Sequence, residues 1–285
     1  MQPPKVRHPA VAEEFYPSDP EALDALVSGL FTGEPVPEGA AKVKALIVPH
    51  AAYRFGGAVS AKGYATLAGG SVRTAIIMGN AHSYLFDGIA IDPHEAWETP
   101  LGSVPVNLEA GRAMLSASGG LVHELDIAHH CDHVLEVQLP FLQHQLQPGF
   151  SILPMLFGEN PPGVCRLAAD AIIPILGEED LIIASSDLSH YPSYRDASKI
   201  DRATLEFMAA MDIDALERHE EEVRQRKIPG AVSACCSPDA VKTLLEIARR
   251  LGWKAGEPSY RNSGDAVHDD RLAVVGYGAL AFYES

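Results

Sequence analysis

The chain is short of positive charge. Lys and Arg number 22 against 38 Asp and Glu, which gives a formal net charge of −16 over 285 residues. Nucleic acids and anionic lipid surfaces are met by a basic footprint that displaces counterions, so neither partner is expected. Long apolar runs are missing as well. None approaches the roughly 18–20 residues that span a bilayer, and the opening MQPPKVR has no apolar core of a secretory leader. Four cysteines (Cys131, Cys165, Cys235 and Cys236) are too few for a disulfide framework in a chain of this length, and the expected home is a reducing cytoplasm. No P-loop or G-x-G-x-x-G segment follows a strand-like run, so a nucleotide cofactor is not expected. A G-x-S-x-G nucleophile elbow is absent too, as are internal repeats of 20–50 residues and low-complexity tracts.

What is present is an ordinary globular composition, 47% hydrophobic and 21% charged. Short apolar runs at 43–48 (VKALIV), 72–78 (VRTAIIM), 150–156 and 180–184 (DLIIA) read as buried strands. Residues 271–283 read as a late strand with alternation. Helical periodicity falls at 57–67, stopped by Gly69-Gly70, and at 108–117, stopped by Gly119-Gly120. It recurs at 132–145, 164–176, 196–211, 213–225 and 238–251. The Pro/Gly-rich stretch 33–39 reads as a surface loop. Strands alternating with helices predict a single three-layer α/β domain over residues 1–285, with a mostly parallel central sheet covered on both faces.

In such sheets ligands bind beyond the carboxyl ends of the strands, so the residues just past each predicted strand are the ones to inspect. The first exit reads Pro49-His50, the second Gly79-Asn80-Ala81-His82, and the DLIIA strand runs into Ser185-Ser186-Asp187-Leu188-Ser189-His190-Tyr191. With 12 His in the chain, three at equivalent exits point to one shared polar site. Histidine suits metal ligation and proton transfer near neutral pH. Asp187 can be an anionic ligand or the partner that orients His190, and the residues leave that open.

Two further groups carry chemistry. The segment Asp126-Ile127-Ala128-His129-His130-Cys131-Asp132-His133, followed by Glu136 and Gln138, is dense in ionisable groups. His129 and His133, four apart, have a zinc-compatible helical spacing. The favoured reading gives this cluster a capping or ligand-supporting role, with Asp126 or Asp132 covering free N–H groups. Cys235-Cys236 precedes a helix that opens at Ser237-Pro238, where a thiol is more readily ionised and so a better ligand or nucleophile. The alternative is a buried, inert pair. The polar turn Arg261-Asn262-Ser263-Gly264-Asp265 reads as a chain reversal.

Taken in order, these segments resemble the Memo family, known in prokaryotes as protein B of the AmmeMemoRadiSam gene set. Arg7…Ala12…Phe15-Tyr16-Pro17 is similar to the family's opening motif, and Val48-Pro49-His50-Ala51-Ala52-Tyr53 to its P-H-A-G-Y. Gly79-Asn80-Ala81-His82 resembles G-P-S-H, and Asp132-His133 through Glu136-Val137-Gln138-Leu139-Pro140 resembles E-H-S-x-E-x-Q-L-P. Ser185-Ser186-Asp187-Leu188-Ser189-His190-Tyr191 and Ser263-Gly264-Asp265 match its S-S-D-x-x-H-Y and late S-G-D elements. The departures are Glu13, Ala52, Asn80, Ala81, Asp132, Val134 and Ser237.

The resemblance implies a fold like the class III, LigB-type extradiol dioxygenases, which are non-haem iron enzymes. It implies metal ligands at His50, His82 and Cys236, with Asp187 and His190 as the remaining polar pocket residues. Three functions follow as expectations. The first is a dioxygenase-like oxidoreductase using Fe(II) or copper, zinc being less favoured, with His190 as general acid/base oriented by Asp187. The second is a non-catalytic module that binds a peptide or protein in the same cleft. The third is an accessory role beside an AMMECR-type protein and a radical SAM enzyme.

Overall fold

The computed structural model describes residues 5–34, 42–68, 70–225, 228–266 and 271–285. Residues 35–39 of the expected loop, and the Gly69 helix stop, lie outside them. Strands are β1 (Val6–Arg7), β2 (Val43–Val48), β3 (Thr74–Asn80), β4 (Ile89–Ile91), β5 (Ala96–Thr99), β6 (Gly102–Pro105), β7 (Val122–Glu124), β8 (Ser151–Phe157), β9 (Leu181–Ser185), β10 (Lys254–Ala255), β11 (Ser259–Asn262) and β12 (Gly276–Tyr283). Helices are α1 (Pro20–Leu30), α2 (Tyr53–Ala65), α3 (Leu108–Ala117), α4 (Asp126–His130), α5 (Leu139–Gln145), α6 (Val164–Ile172), α7 (Tyr194–Ala209), α8 (Ile213–Gln225), α9 (Pro238–Leu251) and α10 (Ser263–Ala266).

The main sheet runs β10-β12-β2-β9-β3-β8-β4-β7, with β11 paired to β12. Its centre, β2-β9-β3-β8, is parallel throughout. The two flanks reverse, since β12 is antiparallel to β2 and β4 to β8. A separate small sheet, β1-β5-β6, closes one side.

Successive residues of the central strands feed opposite layers. Leu46, Val48, Ala75, Ile77, Leu181 and Ile183 join one core, with Leu23 and Val27 of α1, Tyr64 of α2 and Phe141 of α5. Ala45, Ile47, Ile76, Met78, Ile182 and Ala184 join the other, with Ala168 of α6, Leu205 of α7 and Leu244 of α9. A strand buried on both faces needs apolar residues at every position rather than at alternate ones, which is why these runs are continuous in the sequence. The fold class is therefore α/β with helices on both faces, as expected, though the sheet is mixed: β12 and β4 join the parallel centre antiparallel, and β7 at the edge pairs parallel with β4.

Several expected boundaries move for local reasons. Pro174 has no N–H to donate, so α6 ends at Ile172 and a 3-10 turn follows over Ile173–Ile175. The single helix expected at 132–145 divides into a 3-10 turn, Glu136–Gln138, and α5. Residues 131–135 stay irregular because Asp132 spends its carboxylate on other backbone amides. β12 begins at Gly276 rather than at 271, and α2 begins at Tyr53, four residues earlier than its periodicity suggests.

Candidate metal centre

The three parallel strands β2, β3 and β9 deliver their exits to one place. Pro49 ends β2, and the following His50 is buried at 2% exposure. The Asp187 carboxylate, just past β9, accepts the His50 and Ala51 amides at 2.9 and 3.3 Å. Gly79 at the end of β3 has no side chain because a Cβ there would collide with Val134 Cγ1. That close approach lets the 132–135 segment lie beside the β3 exit. Asp132 then accepts the His82 and Ser83 amides at 2.7 and 3.1 Å, which fixes the turn carrying His82.

Cys236 arrives from the far end of the sequence and is tied to the same turn. The Cys236 amide donates to the Asp187 carbonyl at 3.2 Å, and the Asp187 amide donates to Cys236 Sγ at 3.2 Å. Asn80 adds a second tie. Its Oδ1 accepts the Asp239 and Ala240 amides at 3.1 and 3.4 Å, and its own amide donates to Ser237 Oγ at 3.1 Å. A residue on β3 thus caps the first turn of α9, a role usually filled from within the chain just before a helix.

His50, His82 and His190 are each held by Nδ1, which turns Nε2 toward the pocket. The one proton of Ser185 Oγ goes to the Val134 carbonyl at 2.6 Å. The oxygen's remaining capacity therefore accepts from Gln138 Nε2 at 2.8 Å and from His50 Nδ1 at 3.2 Å. His82 Nδ1 donates to the Asn80 carbonyl at 2.8 Å, and His190 Nδ1 to the Leu188 carbonyl at 3.0 Å. Carbonyl or hydroxyl anchoring of one ring nitrogen is how proteins prepare the other as a ligand or proton acceptor. His50 Nε2 lies 3.1 Å from Cys236 Sγ. The donor atoms of His50, His82 and Cys236 all lie within 4.8 Å of one another, a group that can hold a metal ion.

Burial disfavours the charged form of three of the pocket imidazoles. Burial lowers the His50 pKa well below its usual value, helped by the neighbouring His82, His133 and His190. Burial also lowers His190 and His133. The Cys236 thiol is pushed up by desolvation and then by the Asp187 charge. Burial raises Asp187 to about 7 against the opposing His50 and Ala51 amides.

Asp187 therefore supports the His50 turn, while the Leu188 carbonyl, not Asp187, is what holds the His190 ring. Among the described residues Asp187 is not part of the group whose donors converge. His133, which the sequence paired with His129, stands instead beside His50 and His82. Its ring sits 5.3 Å from that of His50 and 5.5 Å from that of His82, over Phe15 at 4.6 Å. Its place beside Asp132 in the 132–140 motif was the available signal. His129 faces away: it is buried against Trp97, with Nε2 on the Ala90 carbonyl and a pKa lowered by burial to about 4. The zinc spacing of His129 and His133 is thus not realised as one face. The remaining charges of that cluster are structural. Arg7 pairs with Glu136 at 2.6 Å in the interior, and Glu136 also accepts the Tyr16 hydroxyl and the Ala10 and Val11 amides.

These groups floor a cavity of about 1020 Å³ whose walls include Phe15, Phe55, Val232 and Val275. Tyr191, at its rim, has a left-handed backbone (φ 68°), a conformation that a residue other than glycine adopts at a cost and that clusters at functional sites. Gly230 packs so closely on the Tyr191 carbonyl that a Cβ would collide with it, which locks the wall segment against the His190 loop. Among the described residues no helix is long and apolar enough to cross a membrane.

Fold and site together define an α/β protein with a His/His/Cys pocket at the carboxyl ends of its parallel strands. The Memo-like protein family matches residues 7–281. Similar proteins include a MEMO1 family protein of Methanopyrus kandleri, 34% identical over 292 residues, covering 97% of this chain and 98% of that protein. Another, from Ignicoccus hospitalis, is 36% identical over 291 residues with 97% and 98% coverage. A third, from Methanosarcina mazei, is 34% identical over 281 residues with 97% and 98% coverage. The chain belongs to the Memo family.

Proposed function

We propose that this protein is a dioxygenase-like, non-haem metal-dependent oxidoreductase acting on a small molecule in the cavity. The observation that carries this reading is the convergence of the His50, His82 and Cys236 donors within 4.8 Å, beneath a cavity large enough for a small organic substrate. The donor set fits a metal. Two imidazoles anchored at Nδ1 and one thiol suit iron(II) or copper; zinc suits the ligands equally but lacks redox chemistry.

Bound there, a redox metal supplies Lewis acidity and electron transfer. The chain's residues do the rest. His50 Nε2, His82 Nε2 and Cys236 Sγ would hold the ion. Asp187 and Asp132 fix the turns that present those atoms. His190 is kept neutral by burial with Nε2 free, so it accepts a proton from a substrate hydroxyl at that atom and returns it later.

The test is oxygen uptake by metal-reconstituted protein with a panel of catechols, comparing wild type with His190→Ala. The expected result is turnover by wild type that falls about 100-fold or more in the variant, with equal metal content in both. Metal-loaded wild type that consumes no oxygen with any catechol contradicts the oxidoreductase reading and leaves the cleft as a binding site.

A further inference from the structure

The ligand's charge is written into the cavity mouth. We propose that the site takes a small molecule with an apolar body and a single carboxylate, and that Arg54 is the residue that holds the carboxylate. This rests on the reading of the cavity as the substrate site.

Arg54 stands in the first turn of α2, directly after the His50 turn, and lines the cavity. It is the one Lys or Arg among the described lining residues. Its guanidinium lies over the Phe55 ring, 4.7 Å from the centroid, which fixes the plane of the fork without using its N–H groups. The nearest acceptor found for it is the Glu14 carbonyl, 3.5 Å from Nη1. Among the described residues no carboxylate lies within ion-pair distance of it, and it is the arginine that lines the cavity. An arginine left with open donors at a pocket mouth, in a chain of net charge −16, is matched to an anion that comes from outside. Its field also reaches into the cavity, where it opposes the rise that burial imposes on the Tyr277 hydroxyl.

The other lining groups decide which anion, and which way round. Among the described lining residues the floor supplies no Lys or Arg to meet a carboxylate. The Asp187 carboxylate is already engaged by two backbone amides. The carboxylate end of a ligand therefore stays at the mouth on Arg54, and the apolar end goes in between Phe15, Phe55, Val232 and Val275. Glu14 sits on the same rim, beside Arg54 through its backbone. A dianionic phosphate would meet that negative charge more strongly than a singly charged carboxylate.

The test uses three probes of one shape, 3-phenylpropionate, 3-phenylpropionamide and 3-phenylpropylammonium, titrated calorimetrically into chelator-treated, metal-free protein at low salt. The acid is expected to bind about tenfold more tightly than the amide. Arg54→Ala should abolish that preference while leaving the amide affinity unchanged, and Arg54→Lys should keep part of it. Equal binding of acid and amide, an acid preference that survives Arg54→Ala, tighter binding of the ammonium probe, or no binding by any probe overturns the proposal. Metal content is measured on the same samples before chelation. A wild type that takes up no metal sinks the metal reading and leaves the Arg54 result standing, and Arg54→Ala is expected to load metal as wild type does.

Discussion

Asn80→Ala separates the coupling of fold and site from either alone. In the native chain Asn80 Oδ1 accepts the Asp239 and Ala240 amides, and its Nδ2 lies 3.2 Å from Asp239 Oδ2. Ser237, the residue at the usual capping position, makes no side-chain cap of its own to α9. Truncation therefore leaves the first turn of α9 with two donors unsatisfied. Loss of a helix cap costs about 1 kcal/mol, with a range of about 0.5–2, which for a chain of this size is a fall in Tm of roughly 2 °C. The same change loosens the tie between the end of β3, which leads to His82, and the segment that carries Cys236, while the Asn80 amide keeps its bond to Ser237 Oγ. If about 1.4 kcal/mol of that tether is expressed in the ligand geometry, metal affinity falls about tenfold. Urea denaturation and competition with a chelating dye read the two effects on one preparation. A variant with unchanged urea midpoint and unchanged metal affinity refutes the reasoning, because it would mean Asn80 neither caps α9 nor links the two loops.

Three further outcomes follow from the same interactions. Glu136→Ala leaves Arg7 buried without its partner and strips an acceptor from Tyr16, Ala10 and Val11. It should cost about 3–5 kcal/mol in urea denaturation, and a loss below about 1 kcal/mol contradicts the account. Burial raises Asp201 to about 7 from 3.8 despite its bonds from the Ser189 amide and the Tyr260 hydroxyl. The folded state therefore binds more protons than the unfolded one between those values, so stability is full below about pH 4 with respect to this group and is lost as pH rises toward 7. The loss is up to about 4 kcal/mol, Asp187 adds to it with the same sign, and Asp201→Asn should flatten the measured pH dependence. Finally, the raised Cys236 thiol must give up its proton to ligate. Metal affinity should therefore climb about tenfold per pH unit from 6 to 8, and Cys236→Ser should remove that slope in a dye-competition titration.

How much of this could be read from the residues follows from where the physics is local. VKALIV, the run around Ile76 and Ile77, and DLIIA are apolar at every position because they are buried on both faces, and that pattern marked β2, β3 and β9 with their exits at His50, His82 and Asp187–His190. The flanking strands were not legible in the same way. β4, β7 and β10 are two or three residues long, too short to show a period, and the antiparallel pairing of β12 with β2 depends on where the chain returns after α9. α1 was missed although Asp19 caps it at the Ala22 amide, because it lies apart from the motifs. At the site, Asn80 looked like a departure in a turn, and only tertiary contact shows it capping α9. His133 was weighed as part of a helix with His129. The irregular stretch held by Asp132 turns one into the pocket and the other toward Trp97, which spacing alone does not reveal.

The most direct measurement is the metal content of protein purified anaerobically without chelator or histidine tag, beside the His50→Ala/His82→Ala double variant. The account predicts near-stoichiometric iron or copper in the wild type and none in the variant, with both folded by circular dichroism. Wild type that holds no metal even after reconstitution, or a variant that holds as much as wild type, contradicts it.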